Sequence, residues 1–274
     1  MNAIVKSFNR VFSEKKREIA ILSKDNTFID KDILISIIIP LYNEEHSIIK
    51  VLNRIPNHHR YEIIIVDDGS TDNSVNKIKK INDKNIKIIK HYENRGYGAA
   101  LKTGITHANG DIIVTMDSDG QHDPQDIHQL IKPIINNQAD LCIGSRYLGK
   151  SDYKVPVYTR IGELFIKVIL WTLFNQKVGN NQNGFRAFKK ELIDTFISIK
   201  NIGMGFTTEL LFEFAFQGFR ITEIPINLQK RAHGRSNVNL VMIFRSLFSC
   251  IFIYLLKKIQ INNRIIKTIE KVIY

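Results

Sequence analysis

The stretch "ILISIIIPLYNEEHSIIKVLNRIPNHHRYEIIIV" (residues 33–66) contains the pattern that decides the fold. It opens with a continuous apolar run at 33–40 and closes with a second one at 61–66. Short runs of this kind are typical of strands buried on both faces of a sheet. Between them, apolar residues recur at helical spacing within 43–55, and Asn43 is predicted to cap this helix. The stretch therefore predicts a strand, a helix and a second strand in succession.

The same alternation continues along the chain to residue 147. Further strands are predicted at 85–91, 110–116 and 139–147, and further helices after Asp72 and within 94–108 and 123–136. Such alternation predicts an α/β fold with a mostly parallel sheet and helices on both faces. Ligands of such sheets bind beyond the carboxyl ends of the strands. Polar residues that follow a strand are therefore the candidates for function.

Composition narrows the class of protein. The 274 residues are 44% hydrophobic and carry a net charge of +12, so we expect one large domain and an anionic partner. The basic residues are dispersed and no nucleic-acid motif occurs, which argues against nucleic acid and leaves a membrane surface or phosphorylated ligands. Cys142 and Cys250 show no metal-site spacing, and the N-terminus lacks a secretory signal pattern, so a reduced, cytosol-facing protein is expected.

Three regions are expected. Residues 1–32 are predicted to form an N-terminal amphipathic arm, 33–237 the catalytic domain, and 238–274 a membrane-interface helix with a basic amphipathic tail. The apolar segments 162–175 and 238–256 each contain a basic residue, and neither offers the roughly 20 apolar residues that a membrane span needs. We therefore expect peripheral attachment to the cytoplasmic face of a membrane, with core helices and a solvated basic face as the alternative.

Two aspartates follow the predicted fourth strand in "VTMDSDGQHDP" (114–124). Asp117 and Asp119 repel each other unless a cation joins them, and their oxygens suit Mg²⁺ or Mn²⁺, with Gln121 as a further neutral ligand. Mg²⁺ is usually held by one or two carboxylates together with substrate phosphates, so the expected ligand is a diphosphate. The alternative is a solvated turn in which Asp123 caps the next helix.

Other strand ends carry groups that suit the same ligand. Asp67 and Asp68 follow the second strand and can accept hydrogen bonds from a nucleobase or ribose, while Arg146 follows the fifth and can neutralise a phosphate. Each has an alternative as a turn residue or a surface ion pair. The glycine-rich turn at 95–98 lacks both the P-loop and the dinucleotide fingerprint, so a kinase, an ATPase or a dehydrogenase is not favoured.

Seven short motifs follow one another along the chain. They are "IIIPLYNEE", "IIIVDDGSTD", "NRGYGAALKTGI", "VTMDSDGQHDP", "GSRY", "NGFRAF" and "KRAHGRSN". In this order they resemble the family 2 inverting glycosyltransferases, above all the dolichyl-phosphate mannosyltransferase and polyprenyl-phosphate glycosyltransferase branch, over residues 33–240. The resemblance implies a nucleotide-diphospho-sugar transferase fold with C-terminal amphipathic interface helices. It also implies transfer of mannose or glucose from a GDP- or UDP-linked donor to dolichyl or undecaprenyl phosphate.

The resemblance assigns roles to individual residues. The positions expected to hold the nucleoside are Pro40, Tyr42, Glu44, Val66 and Asp68, with Asp67 in support. The positions expected to place the metal and the diphosphate are Asp117, Asp119 and Gln121, with Ser118 contacting the donor through its backbone.

Two arginines and a loop complete the implied site. Arg146 is expected to face the donor phosphates or the acceptor phosphate, and Arg231 to close over the donor in a loop shaped by Gly234 and Ser236. Asn237 stands where the family often has a lysine, so a cation near the diphosphate is expected to be missing.

The acceptor decides whether the reaction needs a general base. A polyprenyl phosphate is already anionic at neutral pH and needs none, whereas a saccharide or lipid-linked glycan hydroxyl requires one. Glu209 is the best candidate base, with a structural role on an apolar helix as its alternative, and Arg186 either packs or binds the acceptor phosphate. Two further hypotheses about the function remain. The chain is a non-catalytic membrane partner, as Asn237 suggests, or it is an enzyme that depends on a membrane-spanning partner subunit.

Overall fold

A computed structural model describes most of the chain. The described residues are 33–56, 60–81, 83–150, 155–203, 205–231, 240–259 and 270, and only the backbone is described at 158 and 240–247. The predicted N-terminal arm, nearly all of the basic tail, and the predictions for Gly234, Ser236 and Asn237 lie outside these residues.

The centre of the fold is a seven-stranded sheet. Its strands are β1 (Ile35–Leu41), β2 (Tyr61–Asp67), β3 (Ile86–Lys90), β4 (Ile112–Thr115), β5 (Leu141–Ser145), β6 (Arg186–Lys189) and β7 (Ile221–Pro225). Their order across the sheet is β3-β2-β1-β4-β6-β5-β7. All neighbouring pairs are parallel except those of β6, which runs antiparallel to both β4 and β5. The predicted α/β class and the mostly parallel sheet are confirmed.

Helices cover both faces of this sheet. They are α1 (Ile48–Arg54), α2 (Ser74–Ile78), α3 (Tyr97–Thr106), α4 (Ile127–Ile135), α5 (Val157–Phe174), α6 (Ile193–Ser198), α7 (Phe206–Phe216) and α8 (Leu240–Lys258). Short 3₁₀ turns precede α4, at Pro124–Asp126, and α6, at Lys190–Leu192. The Asp123 side chain accepts a hydrogen bond from the Gln125 N–H at the first of these turns, so the predicted cap is confirmed.

The buried strands explain why helices are needed on both sides. Successive residues of β1 point to opposite faces: Ile35, Ile37 and Ile39 pack in one apolar cluster with α1, α2 and α4. Ile38 packs in a second cluster with Ile64, α3 and α5 to α8. Since these isoleucines are fully buried, neither face of the central strands tolerates solvent. The continuous apolar runs of the sequence therefore correspond to strands in the middle of the sheet.

The first helix begins later than predicted. Asn43 has a positive φ of 53° and lies outside the helix, whose N-cap residue is Ser47. The Asn43 side-chain oxygen instead accepts hydrogen bonds from the backbone N–H groups of Thr71 (2.8 Å) and Asp72 (3.3 Å). The prediction that Asn43 caps α1 is therefore wrong, because its amide joins the loop after β1 to the loop after β2.

Two strands of the sheet are absent from the predictions. β6 has four residues and contains a buried arginine, and β7 follows the region where the alternating pattern ends. Because β6 is antiparallel, the residues that precede it reach the same edge of the sheet as the residues that follow β4 and β5.

The long helices α5 and α8 contain the two apolar segments noted in the sequence. Of the helices that the structure describes, none is long and apolar enough to cross a bilayer. α8 is fastened to α7 by Glu213, which accepts hydrogen bonds from Tyr254 and from Lys257. The outer side of α5 is apolar and open to solvent. Its exposed apolar side chains are Val157, Ile161, Leu164, Phe165, Val168 and Trp171.

Candidate active site

The predicted polar residues meet at the carboxyl edge of the sheet. Tyr42 follows β1, Asp68 follows β2, Asp117 lies just beyond β4 and Arg146 follows β5. The antiparallel β6 adds Gly184 to this edge, since Gly184 precedes its first residue. The placement at the strand ends was correctly predicted from the alternation of strands and helices, whereas Gly184 was not singled out.

Asp117 is held by three neighbours. Its Oδ1 accepts a hydrogen bond of 3.0 Å from the Tyr97 hydroxyl, and its backbone N–H donates to His122 Nδ1 at 3.3 Å. A Cβ atom on Gly184 would lie 2.5 Å from the same Oδ1, so only glycine fits there. His122 is buried and stacks on Phe185 with ring centroids 5.1 Å apart.

Asp119 lies close enough to Asp117 for their charges to interact. Burial, followed by the charge of Asp117, raises the pKa of Asp119. Its Oδ1 accepts the Gln121 N–H at 3.0 Å, and its Oδ2 lies 3.9 Å from Arg231 Nε. Gln121 is fixed to Gln229, whose N–H donates to the Gln121 carbonyl at 2.8 Å. The pair thus concentrates negative charge that a cation would offset.

The carboxylate pair fits a divalent cation that shares its ligands with a substrate. Among the described residues, no group of three or more His, Cys, Asp and Glu side chains is arranged to hold a metal ion. Two carboxylates and the amide oxygen of Gln121 provide hard oxygen ligands, and the remaining positions would fall to phosphate oxygens or water. This donor set fits Mg²⁺ or Mn²⁺ and does not resemble a structural zinc site.

Arg231 contacts two of the loops that carry predicted site residues. Its guanidinium pairs with the Glu44 carboxylate, and Glu44 also accepts a hydrogen bond of 2.7 Å from the Ser47 hydroxyl. Since Arg231 also faces Asp119, it links the loop after β1 to the loop after β4. The closure of Arg231 over a donor stays a prediction.

Asp68 has a different set of contacts from those expected. Its buried carboxylate accepts hydrogen bonds from the backbone N–H groups of Arg95 (3.0 Å) and Gly96 (2.8 Å), and His91 Nδ1 lies 2.7 Å from Oδ1. These contacts fasten the start of α3 to the end of β2. They favour the structural alternative for Asp68, and its assignment to the nucleoside stays a prediction.

The remaining residues that are predicted to hold the nucleoside differ in their exposure to solvent. Pro40 and Val66 are buried neighbours in β1 and β2, so they shape the sheet edge through the backbone. Tyr42 is 42% exposed and offers its ring at the edge. Asp67 is fully buried: its Oδ1 accepts the Ser70 N–H at 2.9 Å, and its Oδ2, 4.0 Å from Lys90 Nζ, accepts no hydrogen bond from the residues that the structure describes. Their contacts with a nucleoside stay predictions.

Arg146 lies in a buried polar network. Its Nε donates to Asn180 Oδ1 at 3.1 Å, and its guanidinium lies 3.8 Å from the Glu163 carboxylate of α5. Burial, partly offset by a hydrogen bond from Tyr147, raises the pKa of Glu163. Ser118, between the two aspartates, is also buried. The roles of Arg146 toward phosphate and of Ser118 toward the donor stay predictions.

Glu209 and Arg186 are both occupied by backbone groups. The Glu209 carboxylate is buried and accepts the N–H groups of Lys200 and Asn201, each at 2.8 Å. The Arg186 guanidinium is also buried, donates to the carbonyls of Asn181, Asn183 and Thr207, and has its pKa lowered by burial to about 10. The structural alternative is therefore favoured for Glu209, and the packing alternative for Arg186.

Sequence reasoning passed over Tyr97 and His122. Tyr97 belongs to the glycine-rich turn at 95–98, which was considered only as a phosphate cradle. His122 was noted only as a neighbour of Gln121. The contact of Tyr97 with Asp117 joins two separate segments of the chain, and the contact of His122 with Asp117 depends on the conformation of the loop that holds both residues.

A mostly parallel sheet with an aspartate pair beyond a central strand suits an enzyme that binds a nucleotide-linked sugar through a metal ion. The family model described as Glycosyl transferase family 2 matches residues 36–196, and the chain belongs to this family. The protein is therefore a glycosyltransferase, and the suspected resemblance is confirmed.

Two curated relatives are named for transfer to a lipid phosphate. The UDP-N-acetylglucosamine–dolichyl-phosphate N-acetylglucosaminyltransferase of Methanococcus voltae is 38% identical over 180 residues, which are 59% of this chain and 72% of that protein. The dolichol-phosphate mannosyltransferase of Pyrococcus furiosus is 31% identical over 221 residues, or 78% of this chain. The match spans only 61% of the Pyrococcus protein.

The fold has solved counterparts. The crystal structure of glucosyl-3-phosphoglycerate synthase from Mycobacterium tuberculosis with Mn²⁺, UDP and glucosyl-3-phosphoglycerate has a TM-score of 0.61 and 26% identity. The match covers 84% of this chain and 81% of that one. A second structure of that enzyme contains Mg²⁺ and UDP, at 25% identity. The expected nucleotide-diphospho-sugar transferase fold is confirmed.

Proposed function

We propose that this protein transfers one sugar from a nucleotide-diphosphate donor to a polyprenyl phosphate, with inversion and with Mg²⁺ or Mn²⁺. The observation that carries the proposal is the Asp117–Asp119 pair at the end of β4, with Arg231 3.9 Å from Asp119. Polyprenyl-phosphate acceptors occur in the names of archaeal relatives and of a Salmonella undecaprenyl-phosphate transferase that is 26% identical. GDP and UDP donors with mannose or glucose remain the expected ones, and the Methanococcus name adds N-acetylglucosamine.

The mechanism follows from where the charges lie. Asp117 and Asp119 would hold the cation, which when bound supplies positive charge for the leaving nucleoside diphosphate. Arg231 adds a second positive charge on the same side, while Glu44 fixes its direction. An oxygen of the acceptor phosphate forms the new bond to the anomeric carbon as the bond to the diphosphate oxygen breaks. Because that oxygen is already anionic, no side chain has to remove a proton.

The occupied state of Glu209 supports a phosphate acceptor. A hydroxyl acceptor needs a base that reaches the substrate, yet both oxygens of Glu209 accept backbone N–H groups inside the protein. The hydroxyl acceptor therefore remains the second candidate only if another carboxylate supplies the base.

The reaction can be tested with purified protein. We would incubate it with short polyprenyl phosphate, Mn²⁺ or Mg²⁺ and a panel of radiolabelled GDP- and UDP-sugars, and follow the label into the organic phase. We expect a lipid product that EDTA abolishes and Mn²⁺ restores. Asp119→Asn removes the product, whereas Asp123→Asn, a matched change at a helix cap in the same loop, retains it.

The same assay distinguishes the alternatives. Donor hydrolysis without a lipid product contradicts the polyprenyl-phosphate acceptor and favours a hydroxyl. Donor binding without any turnover favours the hypothesis that the chain is a non-catalytic membrane partner. Turnover by the purified chain alone contradicts a requirement for a membrane-spanning partner subunit.

We also propose that the protein attaches peripherally to the cytoplasmic face of a membrane through α5 and α8. The exposed apolar side of α5 continues onto α8, since the rings of Phe165 and Phe248 lie 6.3 Å apart and Phe252 is also exposed. Lys258 is exposed at the end of α8, where anionic headgroups would be met, whereas Lys257 pairs with Glu213. An exposed apolar surface beside basic residues is typical of helices that lie in a bilayer interface.

The single tryptophan of the chain reports on this surface. Trp171 is 54% exposed on α5, so we expect its fluorescence to shift to the blue on vesicles containing phosphatidylglycerol. Phe165→Ser and Phe252→Ser should weaken binding, while Tyr92→Ser, which removes an exposed aromatic ring elsewhere, should not. An unchanged spectrum with vesicles contradicts the proposed surface. Retention in cell membranes after alkaline carbonate contradicts peripheral attachment.

A further inference from the structure

We propose that Tyr97 is the positioning residue of Asp117, and that it fixes which oxygen of this carboxylate faces the metal. The inference rests on the proposed function, in which Asp117 holds a divalent cation. It assigns a role to the first residue of α3 and to the hydrogen bond that joins it to the loop after β4.

The two oxygens of Asp117 have different surroundings. Oδ1 accepts the Tyr97 hydroxyl proton at 3.0 Å. Oδ2 lies 3.7 Å from His122 Nδ1, beyond hydrogen-bond distance, and that nitrogen accepts the backbone N–H of Asp117 instead. Among the described residues, Oδ2 thus receives no hydrogen bond from His122. Oδ2 is the oxygen that remains for a cation.

The chemistry of the phenol suits this task. A phenol is protonated at neutral pH, so the Tyr97 hydroxyl is a neutral group that donates to Oδ1. The buried guanidinium of Arg186 interacts electrostatically with both Tyr97 and Asp117. A neutral donor can hold a carboxylate without competing with a metal for its charge. A lysine in the same place would neutralise the ligand.

Gly184 packs against the Tyr97–Asp117 hydrogen bond from the side of β6. A Cβ atom on Gly184 would lie 2.5 Å from both the Tyr97 hydroxyl and Asp117 Oδ1, so any side chain would push into the hydrogen bond. The glycine is itself fixed, because its carbonyl accepts the buried Thr115 hydroxyl at 2.6 Å. Arg186 holds the preceding residue through the Asn183 carbonyl at 2.8 Å. The backbone that packs against the Tyr97–Asp117 hydrogen bond is therefore itself held by hydrogen bonds.

A hydrogen-bond partner that orients a metal ligand raises the affinity for the metal, because the ligand is then in place before the ion binds. Removing a hydrogen-bond partner of a metal ligand typically lowers metal affinity by about 10- to 100-fold. The reaction itself should suffer less once the metal is saturating, since the hydrogen bond that Tyr97 makes is to the metal ligand Asp117.

The test measures Mn²⁺ binding directly. In the presence of UDP, the free Mn²⁺ of a titration is followed by electron paramagnetic resonance for the wild type and for Tyr97→Phe. We expect the Mn²⁺ dissociation constant of Tyr97→Phe to rise about tenfold or more, with kcat largely restored at saturating Mn²⁺. Tyr254→Phe is the matched control, because it also removes a phenol hydroxyl bonded to a partly buried carboxylate, that of Glu213, and should bind Mn²⁺ as the wild type does.

A double-mutant cycle separates positioning from a general loss of structure. If Tyr97 acts through Asp117, adding Tyr97→Phe to Asp117→Asn should weaken Mn²⁺ binding no further. Gly184→Ala should reproduce the Tyr97→Phe defect, since its Cβ displaces the same hydrogen bond.

The outcomes that overturn the inference differ from those that overturn the proposed function. Wild-type affinity in Tyr97→Phe, together with lost affinity in Asp117→Asn, refutes the role of Tyr97 and leaves the metal site intact. An equal further loss in the double mutant refutes it as well. A wild-type protein that binds no Mn²⁺ with UDP refutes the metal site and this inference together.

Discussion

Substitution of the buried Glu209 carboxylate tests whether this residue is a structural group or a catalytic base. Glu209→Gln keeps the size of the side chain but replaces one acceptor oxygen with an NH₂ donor. One of the two backbone N–H groups, that of Lys200 or that of Asn201, then faces another donor. A hydrogen bond to a charged group contributes about 1.5–3 kcal/mol, and a stranded buried N–H adds to the loss. We expect the free energy of unfolding to fall by about 2–4 kcal/mol.

The predicted fall in the free energy of unfolding can be measured as a fall in the thermal midpoint, Tm. In a domain of this size, 1 kcal/mol corresponds to about 2–4 °C, so we expect the Tm of Glu209→Gln to fall by about 5–15 °C. Below that temperature, kcat with polyprenyl phosphate should stay within a few-fold of the wild type, because the folded site is unchanged. Calorimetry and the lipid-transfer assay on the same preparation give both numbers.

Glu62 provides the control. Its carboxylate also accepts backbone N–H groups, from Asn109 and Gly110, but at the amino-terminal edge of the sheet and away from the site. Glu62→Gln should lower the Tm comparably without affecting kcat. A general base contributes about 10²- to 10⁴-fold to a rate. A loss of kcat of that size in Glu209→Gln with an unchanged Tm would refute the structural reasoning and favour a hydroxyl acceptor.

Three further changes test the fold. A hydrogen bond from Arg220 lowers the pKa of Asp140, so Asp140→Asn should lower the Tm at pH 7, and the difference should vanish as the pH falls through that depressed pKa. Gly104→Ala, normally stabilising in a helix, should lower stability by about 1–3 kcal/mol, because the new Cβ would overlap Ile38. Asp68→Asn should lower the Tm if Asp68 fastens α3, whereas a raised donor KM with an unchanged Tm would instead support nucleoside binding.

The first half of the fold was predictable because each of its elements carries its own pattern. Strands such as β1 and β2 are buried on both faces, so their apolar runs are continuous, and the polar residues that follow them lie at the sheet edge. Capping by Asp123 was also predictable, since cap and helix start are adjacent in sequence. Local chemistry and the final structure agree at these places.

Prediction failed at Asn43 and at β6, whose partners come from other loops and strands. Asn43 has the right residue type for a helix cap, but its amide is taken by Thr71 and Asp72 of the next loop. β6 is four residues long with Arg186 as its first member, so it lacks an apolar run. For Glu209, predicted as a candidate base with a structural role as the alternative, no sequence pattern reveals the contacts with the N–H groups of Lys200 and Asn201, and its role stays a prediction.

The place of β6 in the sheet has a consequence for the order in which the chain folds. β6 lies between β4 and β5, although β5 is synthesised first. Strands β3, β2, β1 and β4 can pair while the chain is still emerging, but β5 has no neighbour in the sheet until β6 and β7 exist. During that interval the edge of β4 stays open to pairing with another chain. A nascent chain that pauses before residue 186 is therefore the form of this protein most exposed to aggregation.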